Sequence, residues 1–133
     1  MSGVPVARRV AADPILVVDD SEDSRVTLRE MLESMGLPVV EAQNGQEALE
    51  LLTQEPGAKV QLILLDLDMP RMSGWELLKL LKSYVRLSRI PVVVISRHAG
   101  ELSAEEARRL DGLFRAPCEM PRLQAMVEAL ISH

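Results

Sequence analysis

Aromatic residues are nearly missing from this chain: Trp75, Tyr84 and Phe114 are the only three in 133 residues. So few rings cannot form a platform for stacking unpaired bases, which argues against single-stranded nucleic-acid binding. The core must therefore be aliphatic. Positive charge is also in deficit. Fifteen Lys and Arg against 20 Asp and Glu give a net charge of −5, which disfavours a nucleic-acid backbone as partner. Cysteine is reduced to Cys118, which excludes an internal disulfide and a multi-cysteine zinc site. A reducing cytoplasm is the expected compartment. No apolar run approaches the roughly 18 residues that span a bilayer. Met1 to Ala12 carries Arg8 and Arg9 without the apolar segment of a secretory signal. No membrane insertion is expected, and residues 1–13 read as a disordered tail.

What is present is a globular composition, 47% hydrophobic and 26% charged, in a length that suits one domain, residues 14–133. The chain is organised around Leu62-Ile63-Leu64-Leu65-Asp66, an aliphatic run that ends in a carboxylate ahead of a loop with Pro70. A run apolar on both faces suits the centre of a parallel sheet covered by helices on each side. Ile15 to Val18 is a similar run ending in Asp19 and Asp20. Pro91 to Ser96 is a third, and Val39-Val40 and Leu113 to Ala116 are shorter strands.

Helical spacing lies between them. Leu28, Met31, Leu32 and Met35 give a helix over Asp23–Met35, stopped by Gly36. Asn44 with Glu47 reads as a capping box for a second helix, which Pro56-Gly57 ends. Ser73 caps a third, and Ser103 with Glu106 marks a fourth with a thin apolar face. Leu123, Met126, Val127, Leu130 and Ile131 form the last. Five alternations of strand and helix predict an α/β, flavodoxin-like, doubly wound parallel sheet of order 2-1-3-4-5. That order puts the ends of the first and third strands at the switch point, so Asp19, Asp20 and Asp66 should share one crevice.

Three neighbouring carboxylates repel one another, and a divalent cation removes the conflict. Oxygen-only ligands favour Mg²⁺, with Mn²⁺ possible. Such a cation would bind a phosphoryl donor and let a carboxylate attack phosphorus. Ser96, ending the fourth strand, can offer its hydroxyl to a phosphoryl oxygen, or bond its own backbone locally.

With these residues assembled, the chain resembles a response regulator receiver domain over about residues 14–133. Val17-Val18-Asp19-Asp20-Ser21 resembles the acidic-pair motif. Leu65-Asp66-Leu67-Asp68-Met69-Pro70, with Gly74, resembles the phosphoacceptor segment. Pro91 to Ser96 resembles the strand bearing the switch Ser/Thr. The resemblance implies that Asp66 accepts a phosphoryl group from a histidine kinase or phosphotransfer protein. It implies that Asp19, Asp20, Asp66 and the backbone carbonyl of Asp68 hold Mg²⁺. It also implies a phosphorelay output made by protein contact through the fourth helix, fifth strand and last helix, a face that carries Glu105, Arg108, Arg109 and Arg115. Three positions depart from the family pattern. Ala116 stands before Pro117 where the family has Lys. Arg97 follows Ser96 where a small residue is usual, and either blocks the crevice or lends its guanidinium in place of the Lys. Leu113 occupies the switch-aromatic position.

Three rival readings follow from the same residues. A pseudo-receiver would keep the fold and bind partners without phosphate, a reading the missing Lys and bulky Arg97 support. Asp66-Leu67-Asp68 also resembles the paired Asp of haloacid-dehalogenase phosphatases, but it sits far from the chain start; steady phosphomonoester turnover would mark that enzyme. A flavodoxin-like flavin protein needs a phosphate-binding loop after the first strand, where Asp19 and Asp20 would repel phosphate. No output domain follows His133, so the chain is expected to be a stand-alone receiver or a fragment that is not itself a turnover enzyme.

Overall fold

The computed structural model describes residues 13–54, 59–67, 74–116 and 119–131. Strand β1 (Ile15–Val18) is followed by α1 (Glu22–Ser34), β2 (Val39–Ala42), α2 (Gly45–Thr53), β3 (Leu62–Asp66) and α3 (Gly74–Ser83). A 3-10 turn (Leu87–Arg89), β4 (Val92–Ser96), a second 3-10 turn (Ala99–Glu101), α4 (Ala104–Arg108), β5 (Gly112–Arg115) and α5 (Met120–Ile131) complete the order. The strands form one parallel sheet, β2-β1-β3-β4-β5, the order expected from right-handed crossovers.

Strand parity sorts the aliphatic residues into two cores. Ile15, Val17, Leu62, Leu64 and Val93 face Leu28, Met31 and Leu32 of α1 and Leu123 and Val127 of α5. Leu16, Val18, Ile63, Leu65, Val92 and Val94 face Ala48 and Leu52 of α2 and Leu77, Leu78 and Leu81 of α3. Each fully buried aliphatic side chain contributes about 1.5–3 kcal/mol, so these strands need no aromatic anchor. Trp75 packs at the margin of the second core.

The helix ends follow local chemistry. Ser21 caps α1, its hydroxyl accepting from the Ser24 N–H at 3.2 Å. The helix thus begins one residue before the expected Asp23, and Met35 is its C-cap. Gly36, at φ 82°, closes it: the Gly36 N–H donates to the Glu33 carbonyl and the Leu37 N–H to the Leu32 carbonyl, a Schellman ending that needs left-handed backbone. The Asn44 side chain accepts from the Glu47 N–H at 2.8 Å, but the Glu47 carboxylate accepts from the Gln43 N–H rather than the cap residue's own. Ser103 and Glu106 do make the reciprocal box, on a five-residue helix with no buried residue.

Strand β2 runs two residues beyond Val40. Strand β5 starts one residue earlier than expected and ends at Arg115, because the register pairs Gly112 with Val93 and Arg115 with Ser96. Of the expected tail over residues 1–13, residues 1–12 lie outside the described residues, as do the Pro56-Gly57 stop, the Ser73 cap, and Pro117, Cys118 and His133, whereas the Asp13 carbonyl accepts from Gln61 Nε2 at 2.6 Å. No helix among the described residues is long and apolar enough to cross a membrane.

Candidate phosphoryl and metal site

Register and parity build the site. Val18 pairs with Leu65, so the next residues, Asp19 just past β1 and Asp66 at the end of β3, lie side by side. Val17 and Leu64 face the α1–α5 core, and two residues on, Asp19 and Asp66 fall on that same side. Carboxylate oxygens of Asp19, Asp20 and Asp66 lie within 4.8 Å of one another. They line one crevice of about 550 Å³ together with Ser96, Arg97 and Ala116, and its apolar lining includes Leu28, Ile95 and Met120.

The backbone at the acidic pair is held on both sides. The Asp19 N–H donates to the Ala42 carbonyl at 3.1 Å. Its carbonyl accepts from Arg25 Nη1 at 2.7 Å, and its Oδ1 accepts from the Ser21 N–H at 2.9 Å. Burial pushes the Asp19 carboxyl above its ordinary value, and the neighbouring Asp20 charge adds to this. The Ser21 N–H and the Arg25 charge oppose the shift without cancelling it. An oxygen-only donor set with one member held towards its protonated form fits a hard divalent cation, since the cation's charge removes the reason for protonation. Mg²⁺ therefore suits Asp19, Asp20 and Asp66. The fourth expected ligand, the Asp68 carbonyl, lies outside the described residues.

Ser96 is 1% exposed, and its Oγ accepts from the His98 N–H at 3.0 Å. The local backbone bond weighed for this residue therefore exists. A hydroxyl both donates and accepts, so this bond accounts for its oxygen as acceptor. Arg97 is exposed at the crevice, and Ala116 lines it where the family has Lys. Arg115 is exposed and absent from the lining, as alternation along β5 requires. Leu113 packs against the α2–α3 core and Phe114 against the α1–α5 core.

Sequence reasoning missed Arg25. It is only 9% exposed. Its Nε donates to Glu41 Oε1 at 3.1 Å, while Arg29 Nη1 donates to Glu41 Oε2 at 2.6 Å. The Arg29 hydrogen bond leads in holding the Glu41 carboxyl below its ordinary value. A signal was available, because Arg25 shares the helical stripe of Leu28 and Leu32, and a charge on a core-facing stripe requires a partner.

Comparison with known proteins agrees with this geometry. The model of the response regulator receiver domain matches residues 15–128. Two-component response regulator ORR5 of Oryza sativa subsp. japonica is 43% identical over 88 residues, covering 66% of this chain and 64% of that protein. The chain thus spans under two thirds of that relative's length. A signal receiver domain of a histidine kinase from Syntrophus aciditrophicus superposes with a TM-score of 0.77 at 31% identity, covering 91% of each chain. Response regulator TrrA of Thermotoga maritima, solved in complex with Mg²⁺–BeF, superposes with a TM-score of 0.76 at 26% identity. That match covers 90% of this chain and 99% of TrrA.

Proposed function

The chain belongs to the response regulator receiver domain family, signalling domains rather than turnover enzymes, and on that footing we propose that Asp66 accepts a phosphoryl group. In this reading Asp19, Asp20 and Asp66 hold Mg²⁺, the donor is a histidine kinase or phosphotransfer protein in the cytoplasm, and output passes by protein contact through α4, β5 and α5. The observation that carries the reading is the meeting of three carboxylates within 4.8 Å at the carboxyl end of the sheet. The TrrA relative, which carries Mg²⁺–BeF, supports it by analogy.

An Asp66 carboxylate oxygen attacks phosphorus, and an O–P bond forms as the donor's N–P bond breaks. The electron pair leaves with the imidazole nitrogen, which takes a proton from solvent. Bound Mg²⁺ supplies positive charge that offsets repulsion between the carboxylates and the incoming dianion. The Ser96 hydroxyl donates to a phosphoryl oxygen, its Oγ fixed by the His98 N–H. Arg97 supplies the cation that Ala116 does not.

Incubation with Mg²⁺ and acetyl phosphate, read by intact mass, tests the proposal. One phosphoryl adduct on the wild type and none on Asp66→Asn is expected. An unmodified wild type, or an equal adduct on Asp66→Asn, overturns it. The departures at Ala116 and Arg97 favour a second reading, a pseudo-receiver that binds partners without phosphate. Partner binding unmoved by beryllofluoride would select that reading.

A further inference from the structure

Arg25 of α1 reaches both the residue that follows β1 and Glu41 of β2 beside the acidic crevice. Its guanidinium sits at the carboxyl end of β1, nearly enclosed, its Nη1 donating to the Asp19 carbonyl and its Nε to Glu41 of β2. Glu41 is itself held from the solvent side by Arg29. The order is therefore surface cation, acid, buried cation, backbone. The last contact falls on the peptide that joins Asp19 to Asp20.

That peptide decides where two carboxylates point. The Ala42 carbonyl fixes the Asp19 amide, but an amide contact alone leaves the following peptide plane free to rotate. Arg25 Nη1, at 2.7 Å from the Asp19 carbonyl, fixes that plane. A buried guanidinium needs a carboxylate to remain enclosed, and Glu41 provides it across 16 residues of sequence. The Glu41 carboxylate accepts from two arginines at separate oxygens, so its own orientation is set. Planar, forked donation makes Arg fit for holding two acceptors at once in a way that Lys does not.

We infer that Arg25, locked by Glu41 and Arg29, is a positioning residue that presets the Asp19–Asp20 pair for a divalent cation. The inference rests on the proposed Mg²⁺ site and deepens it. Among the described residues the guanidinium donates to no carboxylate of the crevice; it orients the pair through the backbone, while its charge also bears on Asp19. Its removal would therefore spread the two carboxylates over several orientations, and the cation would have to select one.

The test is Mg²⁺ titration by calorimetry beside thermal melting, on wild type, Arg25→Lys, Glu41→Gln and Arg29→Ala. Outer groups that orient metal ligands typically cost about 10- to 100-fold in affinity when lost. Arg25→Lys, which keeps the charge but loses the fork, is expected to weaken Mg²⁺ binding by about 10-fold. Glu41→Gln should move affinity in the same direction. Arg29→Ala, which spares the Arg25–Asp19 contact, should lower affinity least.

A merely structural role would lower the melting temperature and leave the Mg²⁺ dissociation constant of the folded protein unchanged. That result in Arg25→Lys overturns the inference. If Arg25→Lys does not fold, the near-isosteric Glu41→Gln decides by the same criterion. A wild type that takes up no Mg²⁺ overturns the metal site itself; a wild type that binds, with variants that bind equally, overturns only the role of Arg25.

Discussion

Gly74 abuts the peptide that follows Asp66: a Cβ built on it would stand 2.7 Å from the Asp66 carbonyl oxygen and 2.6 Å from the Leu67 Cα. Both neighbours are backbone, so neither can rotate away. Gly74→Ala is expected to destabilise the fold by about 1–3 kcal/mol, the usual range for overpacking, and to displace Asp66 from Asp19. Urea unfolding measures the first effect. A weaker Mg²⁺ titration in the folded variant measures the second.

Asp19 carries a stability cost at neutral pH. Its carboxyl is raised in the fold above the ordinary value of 3.8, chiefly by burial. The native state thus binds a proton more readily than the unfolded chain, and stability falls as pH rises from that value through the raised one. Asp19→Asn is expected to melt higher than wild type at pH 7 without metal, and the difference should shrink as pH falls towards 4. Mg²⁺ should raise the melting temperature of the wild type more than that of the variant. Melting curves across pH with and without Mg²⁺ check both statements.

Ala116 leaves a place for a cation in the crevice it shares with Asp66 and Ser96. Ala116→Lys is expected to tighten beryllofluoride binding by roughly 10-fold, the return on one added charge-assisted hydrogen bond. Arg97→Ala in the wild-type background should weaken it by a similar factor, and in the Ala116→Lys background by much less. Titration followed by Trp75 fluorescence reads all four proteins. Equal beryllofluoride binding by Arg97→Ala and wild type would remove Arg97 from the phosphoryl site.

Asn44 supports the strand end next to the pair. Its side chain accepts from the Glu47 N–H, and α2, which it starts, packs under β1 and β2 through Ala48 and Leu52. Asn44→Ala should cost about 1 kcal/mol, seen as a lower urea midpoint with an unchanged slope. A larger loss would show that the cap also holds the β2–α2 turn.

Much of this was legible in the chain because β1, β3 and β4 are short aliphatic runs that end in, or run straight into, a carboxylate or hydroxyl. Leu62–Asp66 and Ile15–Val18 needed no tertiary knowledge, and the crossover rule then brought Asp19, Asp20 and Asp66 together. Boundaries were less legible. Ser21 was hidden as a cap by the acids around it, and Gly112 entered β5 because pairing with Val93, not propensity, sets that strand's start. Arg25 escaped notice because its partners lie on a different strand and on a carbonyl, and main-chain acceptors leave no trace in residue identity. The local bond from the His98 N–H to Ser96, one of the two readings of that residue, is present in the structure.

Strand pairing acts here as a gauge for the chemistry. Side chains alternate every residue, so sliding β3 by a single position against β1 would rotate Asp66 to the α2–α3 side and offer Leu65 or Leu67 in its stead. Such an error would exchange the β3 residues between the two cores and take from the crevice the carboxylate proposed to receive a phosphoryl group. Insertions or deletions within Leu62–Leu65 should therefore cost the crevice its third carboxylate together with the packing of both cores.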